Sequence, residues 1–322
     1  MRIVIFGAGA VGGVIGGRLF QHRDQHGHDV TLVARGAHHD AIRARGLVLN
    51  DPDHSVTLPV PVVDRIDTVP LEQGDVVILT MKTQDTEDAL AALAAHAPSV
   101  AVACAQNGVE NERLAARLFA DVYGICVMLP ATFLDPGVVD ATGYPRNAIL
   151  DIGRYPTGVD ATAEAVAAAF EASDLASRPD PAVMRLKYRK LIMNLGNPLD
   201  ALVKEGEDTR GLYQQARAEA EACFVAAGIT YASRDEDVTR RDGVMKIKPV
   251  PGRPRGGSTW QSLTRGAPVT EVDWLNGEIV LLGRQHGVPT PVNAMLQDAT
   301  RQAALEQAGA RTLTAHDLQS RL

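Results

Sequence analysis

Cysteine is scarce: only Cys104, Cys126 and Cys223 occur in 322 residues, far apart and in alanine-rich or strand-like surroundings. Such spacing argues against a disulfide framework and against a zinc site built from paired cysteines, and it suits the reducing cytosol. Basic residues are in deficit too, 32 Lys and Arg against 39 Asp and Glu, for a formal net charge of −7. A nucleic acid or an acidic membrane surface would need a local surplus of positive charge, so neither is expected as a partner. No stretch reaches the ~18 apolar residues needed to cross a bilayer. Repeats with a period of ~20–50 residues and low-complexity tracts are also missing. Arg2 followed by the apolar, glycine-rich run 3–17 imitates a signal peptide. The run continues into Arg18 with no small-residue cleavage site, so the expectation is a folded segment.

The hydrophobic content of 45% over this length is enough for two domains, each with its own core. The first 179 residues alternate short β-branched runs with helical periodicity. Residues 2–6, 30–34, 75–81 and 100–105 read as strands, and 11–22, 86–97 and 110–118 as helices. Between them, 47–63 reads as irregular strands and turns, while 123–129, 138–141 and 148–152 read as further strands and 161–173 as a helix. Such alternation predicts a doubly wound, mostly parallel sheet covered on both faces. Arg178-Pro179-Asp180-Pro181 is the strongest linker signal. The expected division is therefore 1–179, an α/β domain, and 180–322, an all-α domain with helices over 181–203, 209–227, 269–286 and 294–306.

Gly7-Ala8-Gly9-Ala10-Val11-Gly12 matches GxGxxG directly after a strand and at the opening of a helix. In that context the fingerprint points to a Rossmann site, because backbone N–H groups and the helix N-terminus then face a pyrophosphate. The second strand ends in Val33-Ala34-Arg35, with Asp29 at its opposite end. An acid at the tip would repel a 2′-phosphate, whereas a guanidinium suits one, so the expected cofactor is NADP(H).

These residues recur in a recognisable order: Gly7, Gly9 and Gly12; Arg35; Lys82; Gln106-Asn107-Gly108; Arg189-Lys190-Leu191-Ile192-Met193-Asn194; and Ser258 followed by Thr270-Glu271-Val272-Asp273. The constellation resembles the ketopantoate reductase (2-dehydropantoate 2-reductase) family over nearly the whole chain. The resemblance implies a Rossmann domain followed by a helical domain for substrate and dimerisation, and NADPH-dependent reduction of a small anionic 2-oxo acid. Ketopantoate to pantoate, a step of pantothenate biosynthesis, is the expected reaction, and a homodimer fits it. Carried over residue by residue, Lys190 is the catalytic proton donor, and Asn107, Asn194, Asn197 and Ser258 bind substrate. Gly7, Ala8, Gly9, Ala10, Val11, Gly12, Arg35, Lys82, Asn107 and Glu271 border the cofactor. An ammonium against a ketone oxygen that gains charge both stabilises it and supplies a proton. Lys187, three residues before Lys190, is expected to be a solvated helix lysine.

The departures fall on the substrate side. Asn197 follows Asn194 at three residues rather than the family's four, and Lys204-Glu205-Gly206-Glu207 stands where a further asparagine is usual. One residue is added between Ser258 and Glu271, and Thr259-Trp260 replaces smaller residues. The segment 246–257 carries four cations, Lys246, Lys248, Arg253 and Arg255, and runs into Ser258. Either it is a solvated loop or it draws an anionic substrate larger than ketopantoate. His22, His26, His28, His38 and His39 crowd one region without a carboxylate or cysteine pair at ligand spacing, so no metal is expected. Two other functions stay open: a hydroxy-acid or opine-type dehydrogenase on the same fold, and an NADP(H)-binding sensor without turnover.

Overall fold

The first strand, Arg2–Phe6 (β1), divides its side chains between two cores. Ile3 and Ile5 join one apolar cluster, and Val4 and Phe6 join another on the opposite face. A strand buried on both sides belongs in the middle of a parallel sheet. The computed structural model, which describes residues 1–254 and 256–322, places it there. The other strands of this sheet are Asp29–Val33 (β2), Val62–Val63 (β3), Val76–Leu79 (β4), Ala101–Cys104 (β5), Val122–Met128 (β6), Ala148–Arg154 (β7) and Leu175–Ala176 (β8). They lie in the order β8-β7-β6-β5-β4-β1-β2-β3. All neighbours pair in parallel except β6 and β7, which are antiparallel. The crossing point at β1 is where the chain order reverses, and such sheets bind ligands at the carboxyl ends of the strands there.

The chain divides into two compact units. One holds Met1–Lys187 and Ser233–Pro254, the other Tyr188–Ala232 and Arg255–Leu322. The first contains the large sheet and a four-stranded sheet made of Ser55–Leu58, Leu47–Asn50, Val138–Ala141 and Ala131–Thr132. Described elements of the second are helical, from Asn197–Leu202 and Arg210–Ala226 to Asn276–His286, Pro291–Leu305 and Ala315–Gln319. Among the described residues no helix is long and apolar enough to cross a membrane.

The division differs from the expected one at 179/180. Residues 233–254 return to the first unit, where Met245–Ile247 is a strand antiparallel to Gly143–Pro145. Arg240 anchors the same segment through two hydrogen bonds, of 2.8 and 2.6 Å, to Asp151, a residue only 2% exposed. The helix expected over 181–203 is two helices, Val183–Asn194 and Asn197–Leu202, interrupted at Leu195 and Gly196. Ser258–Thr264 is a helix that no periodicity announced, and only Glu271–Trp274, a 3₁₀ turn, precedes the helix Asn276–His286.

Candidate functional site

The glycine loop begins where β1 ends. Gly7 adopts φ +104°, a left-handed conformation that glycine takes without a steric cost, and a Cβ there would lie 2.6 Å from the Met81 nitrogen. The N–H groups of Gly7 and Ala8 both donate to the Val33 carbonyl at 3.0 Å, and Thr80 Oγ1 donates to the Gly7 carbonyl at 2.7 Å. A Cβ on Gly12 would come within 2.5 Å of the Gly7 carbonyl, so this residue lets the helix Ala10–Gln21 lie hard against the strand. Gly9, by contrast, has open space where a Cβ would be. Beyond it the helix starts with no acid in its first turn. Its leading N–H groups have no partner within the helix and carry the positive end of the dipole. The loop therefore fits an anionic pyrophosphate.

Adjacent strands deliver the remaining first-unit residues to the same edge. Exposed Arg35 follows β2, just before the helix Gly36–Arg45. Half-buried Lys82 follows β4 and precedes the 3₁₀ turn Thr83–Asp85. Asn107 follows β5, and Gly108 at φ +80° turns the chain behind it. The carboxyl ends of β2, β1, β4 and β5, neighbours in the sheet, thus bring Arg35, the glycine loop, Lys82 and Asn107 into one row.

Buried polar groups hold this row in place. The Gln106 amide donates to the Met81 carbonyl at 3.0 Å and to Thr86 Oγ1 at 2.8 Å. Asn111 Nδ2 donates to the Asn107 carbonyl at 3.2 Å and to Thr83 Oγ1 at 3.1 Å, and its Oδ1 accepts from Thr86. Lys187, expected in solvent, is 3% exposed and pairs with the fully buried Glu112 at 2.5 Å. Burial pushes the Glu112 carboxyl upward, against the pull of the Lys187 ammonium.

His38 is a second residue whose role the sequence did not disclose. Its Nε2 donates to the Ala8 carbonyl at 2.6 Å, and its Nδ1 accepts from the Gly137 N–H at 2.8 Å. That pair of contacts selects the neutral Nε2–H tautomer. Burial lowers its pKa, partly offset by the bond to Ala8. His38 is 8% exposed and ties the dinucleotide loop to the Phe133–Gly137 segment, against whose Phe133 ring it packs at 4.3 Å.

In the second unit, Lys190 and Asn194 lie four residues apart on the helix Val183–Asn194, hence on one face. Lys190 is half-buried and Asn194 is 4% exposed. Asn197, the carry-over with irregular spacing, stands next to Ser258: its Nδ2 is 3.5 Å from the serine Oγ. Asp200 fixes the approach to Ser258 by accepting from the Gly257 N–H at 2.8 Å. Glu271, 6% exposed, opens the 3₁₀ turn that Thr270 caps. A buried amide pair locks the end of the lysine helix: Asn276 Nδ2 donates to the Leu195 carbonyl at 3.3 Å and to Asn293 Oδ1 at 3.0 Å. Glu219 in turn accepts from the Val292 and Asn293 N–H groups at 2.8 and 2.9 Å.

The basic segment is less open than its sequence suggests. Lys248 pairs with Asp53, and Arg253 with Asp140 at 2.9 Å and Asp135 at 2.8 Å, all within the first unit. Those two cations are therefore committed to carboxylates of the fold, which removes Arg253 from the expected anion-drawing set. Arg255 lies outside the described residues.

Comparison with known proteins gives one consistent result. Residues 3–156 match the family model for ketopantoate reductase PanE/ApbA, and residues 182–304 match that for its C-terminal part. A 2-dehydropantoate 2-reductase of Pyrococcus horikoshii is 30% identical over 304 residues, covering 92% of this chain and 95% of the relative. The crystal structure of a PanE/ApbA family ketopantoate reductase from Ralstonia eutropha JMP134 superposes with a TM-score of 0.77 at 29% identity, covering 96% of this chain and all of the other. A D-mandelate dehydrogenase solved with NADH and anilino(oxo)acetate reaches the same TM-score at 23% identity, over 96% of this chain and 100% of that one, a likeness of fold.

Proposed function

We infer the activity from one premise, that this chain belongs to the ketopantoate reductase family: it reduces 2-dehydropantoate to pantoate with NADPH. What chiefly supports the reading is the row at the carboxyl ends of β2, β1, β4 and β5, an acid-free helix N-terminus flanked by Arg35, Lys82 and Asn107. When bound, NADPH supplies the hydride.

The residues of this chain do the rest. Backbone N–H groups along Gly7, Ala8, Gly9, Ala10, Val11 and Gly12 line the pyrophosphate cradle, and Arg35 with Lys82 takes the 2′-phosphate end. Asn107 and Glu271 border the nicotinamide end. Ser258 and Asn197 hold the substrate carboxylate, while Asn194 shares the substrate with Lys190. The Lys190 ammonium faces the ketone oxygen, stabilises the charge that develops there and gives up its Nζ proton to form the hydroxyl. The sheet-bearing unit is the NADP-binding domain; the helical unit carries substrate recognition and pairs two copies of the chain. The setting is the cytoplasm, in keeping with three free cysteines.

Loss of NADPH absorbance with 2-dehydropantoate, compared with bulkier 2-oxo acids, tests the assignment. The account expects the highest kcat/KM for 2-dehydropantoate, with pantoate as product. Binding of NADPH without turnover of any of these acids would defeat it.

A further inference from the structure

Lys187 has no part in the reaction as set out above, yet it is buried and its ammonium lies against four oxygen atoms. Besides Glu112, its Nζ lies 2.9 Å from the Gln106 carbonyl, 3.4 Å from that of Cys104 and 3.5 Å from that of Ile125. These carbonyls belong to the end of β5, the turn that follows it and the body of β6. Gly124 of β6 makes room for the approach, since a Cβ there would already touch Met184 Sδ and Val183 Cγ1 at 3.3 Å. Stability alone does not explain such a pair: a buried ion pair exchanged for well-packed apolar residues is often neutral or stabilising. Its geometry offers a better reason. The ammonium holds the carbonyl that precedes Asn107, and Asn111, the neighbour of Glu112, holds the carbonyl of Asn107 itself.

We propose that Lys187, balanced by Glu112, is a positioning residue that sets the peptide plane preceding Asn107, the plane after it being held by Asn111, and so the presentation of the nicotinamide end of the site. The proposal rests on the functional reading above, which places Asn107 at that end. A clamp of this kind acts on orientation rather than on affinity. The glycine loop is held by partners outside this clamp, the Val33 carbonyl and Thr80.

The test compares wild type with Lys187→Met and with the apolar pair Lys187→Met/Glu112→Leu. The melting temperature without cofactor, the Kd and fluorescence of bound NADPH, and kcat with 2-dehydropantoate are measured for each. The single variant strands a buried carboxyl and melts lower; the double variant recovers much of that loss. In both, kcat falls by about 10–100-fold, as for a modest misplacement of a reacting group. The fluorescence of bound NADPH departs from wild type, while its Kd stays within about threefold, under 1 kcal/mol by the affinity relation. A double variant with wild-type kcat and wild-type fluorescence overturns the proposal and leaves the pair purely structural. If the double variant does not fold, Lys187→Met below its melting temperature decides the matter, with unchanged fluorescence as the contrary result. A wild-type enzyme that binds NADPH but leaves 2-dehydropantoate untouched would defeat the functional reading, and the fluorescence comparison would still judge Lys187.

Discussion

Arg35 and His38 stand three residues apart, one exposed and one buried, and each carries a separable prediction. Arg35→Ala removes the guanidinium that suits a 2′-phosphate. Kd for NADPH should rise by about 10–100-fold, the equivalent of one charged hydrogen bond, with Kd for NADH nearly unchanged; equal losses for both cofactors would contradict the role. His38 bears on stability. Because burial holds its pKa below 6.5, the unfolded chain takes up a proton at this site before the folded chain does. Its stabilising contribution is complete above the unfolded value and declines as pH falls from there toward the lower folded one. Melting temperatures between about pH 7 and about pH 5 should therefore drop more steeply for wild type than for His38→Phe; parallel curves would show that His38 does not titrate in this way. The position of Arg35 was legible because it depends only on the end of a strand. His38 was not, because Gly36–Arg45 has no apolar stripe to announce a helix, and the imidazole's partners, Ala8 and Gly137, lie 30 and 99 residues away.

Elements explain the next layer. The strand, glycine loop and helix at the N-terminus could be read directly, since the fingerprint states its own geometry. Gly12→Ala tests that geometry: a methyl group facing the Gly7 carbonyl and Thr80 overpacks the contact between helix and strand. It should cost about 1–3 kcal/mol of stability, seen as a lower melting temperature, and should weaken NADPH binding in step. A variant as stable and as tight-binding as wild type would mean that the helix does not approach as closely as described. The helix Val183–Asn194 carries in its spacing the sign of a buried pair. Val183, Lys187 and Leu191 form one row spaced by four, and all three are buried. A lysine in an apolar row calls for a buried acid, and Glu112 is that acid. Asn197 and Ser258 illustrate the opposite limit, since the helix Ser258–Thr264 that brings them together has no sequence periodicity long enough to see.

At the scale of the whole molecule, the two-part organisation was legible from the switch between alternating and helical patterns. The return of residues 233–254 to the first unit was not. It depends on Arg240 reaching Asp151 and on a three-residue strand finding Gly143–Pro145, both pairings between distant parts of the chain. Arg240→Ala would leave the Asp151 carboxylate buried with, among the described residues, Arg178 as its remaining cation, and should destabilise the fold by about 3 kcal/mol in denaturant unfolding; a loss indistinguishable from zero would mean that this segment is not anchored there. The functional account as a whole turns on Lys190 delivering a proton, and steady-state reduction of 2-dehydropantoate by Lys190→Ala, with NADPH affinity measured in parallel, tests it most directly. The account predicts a kcat lower by about 10²–10³-fold, the effect of removing one preorganised donor, with NADPH bound as tightly as in wild type. A kcat close to that of wild type would contradict it.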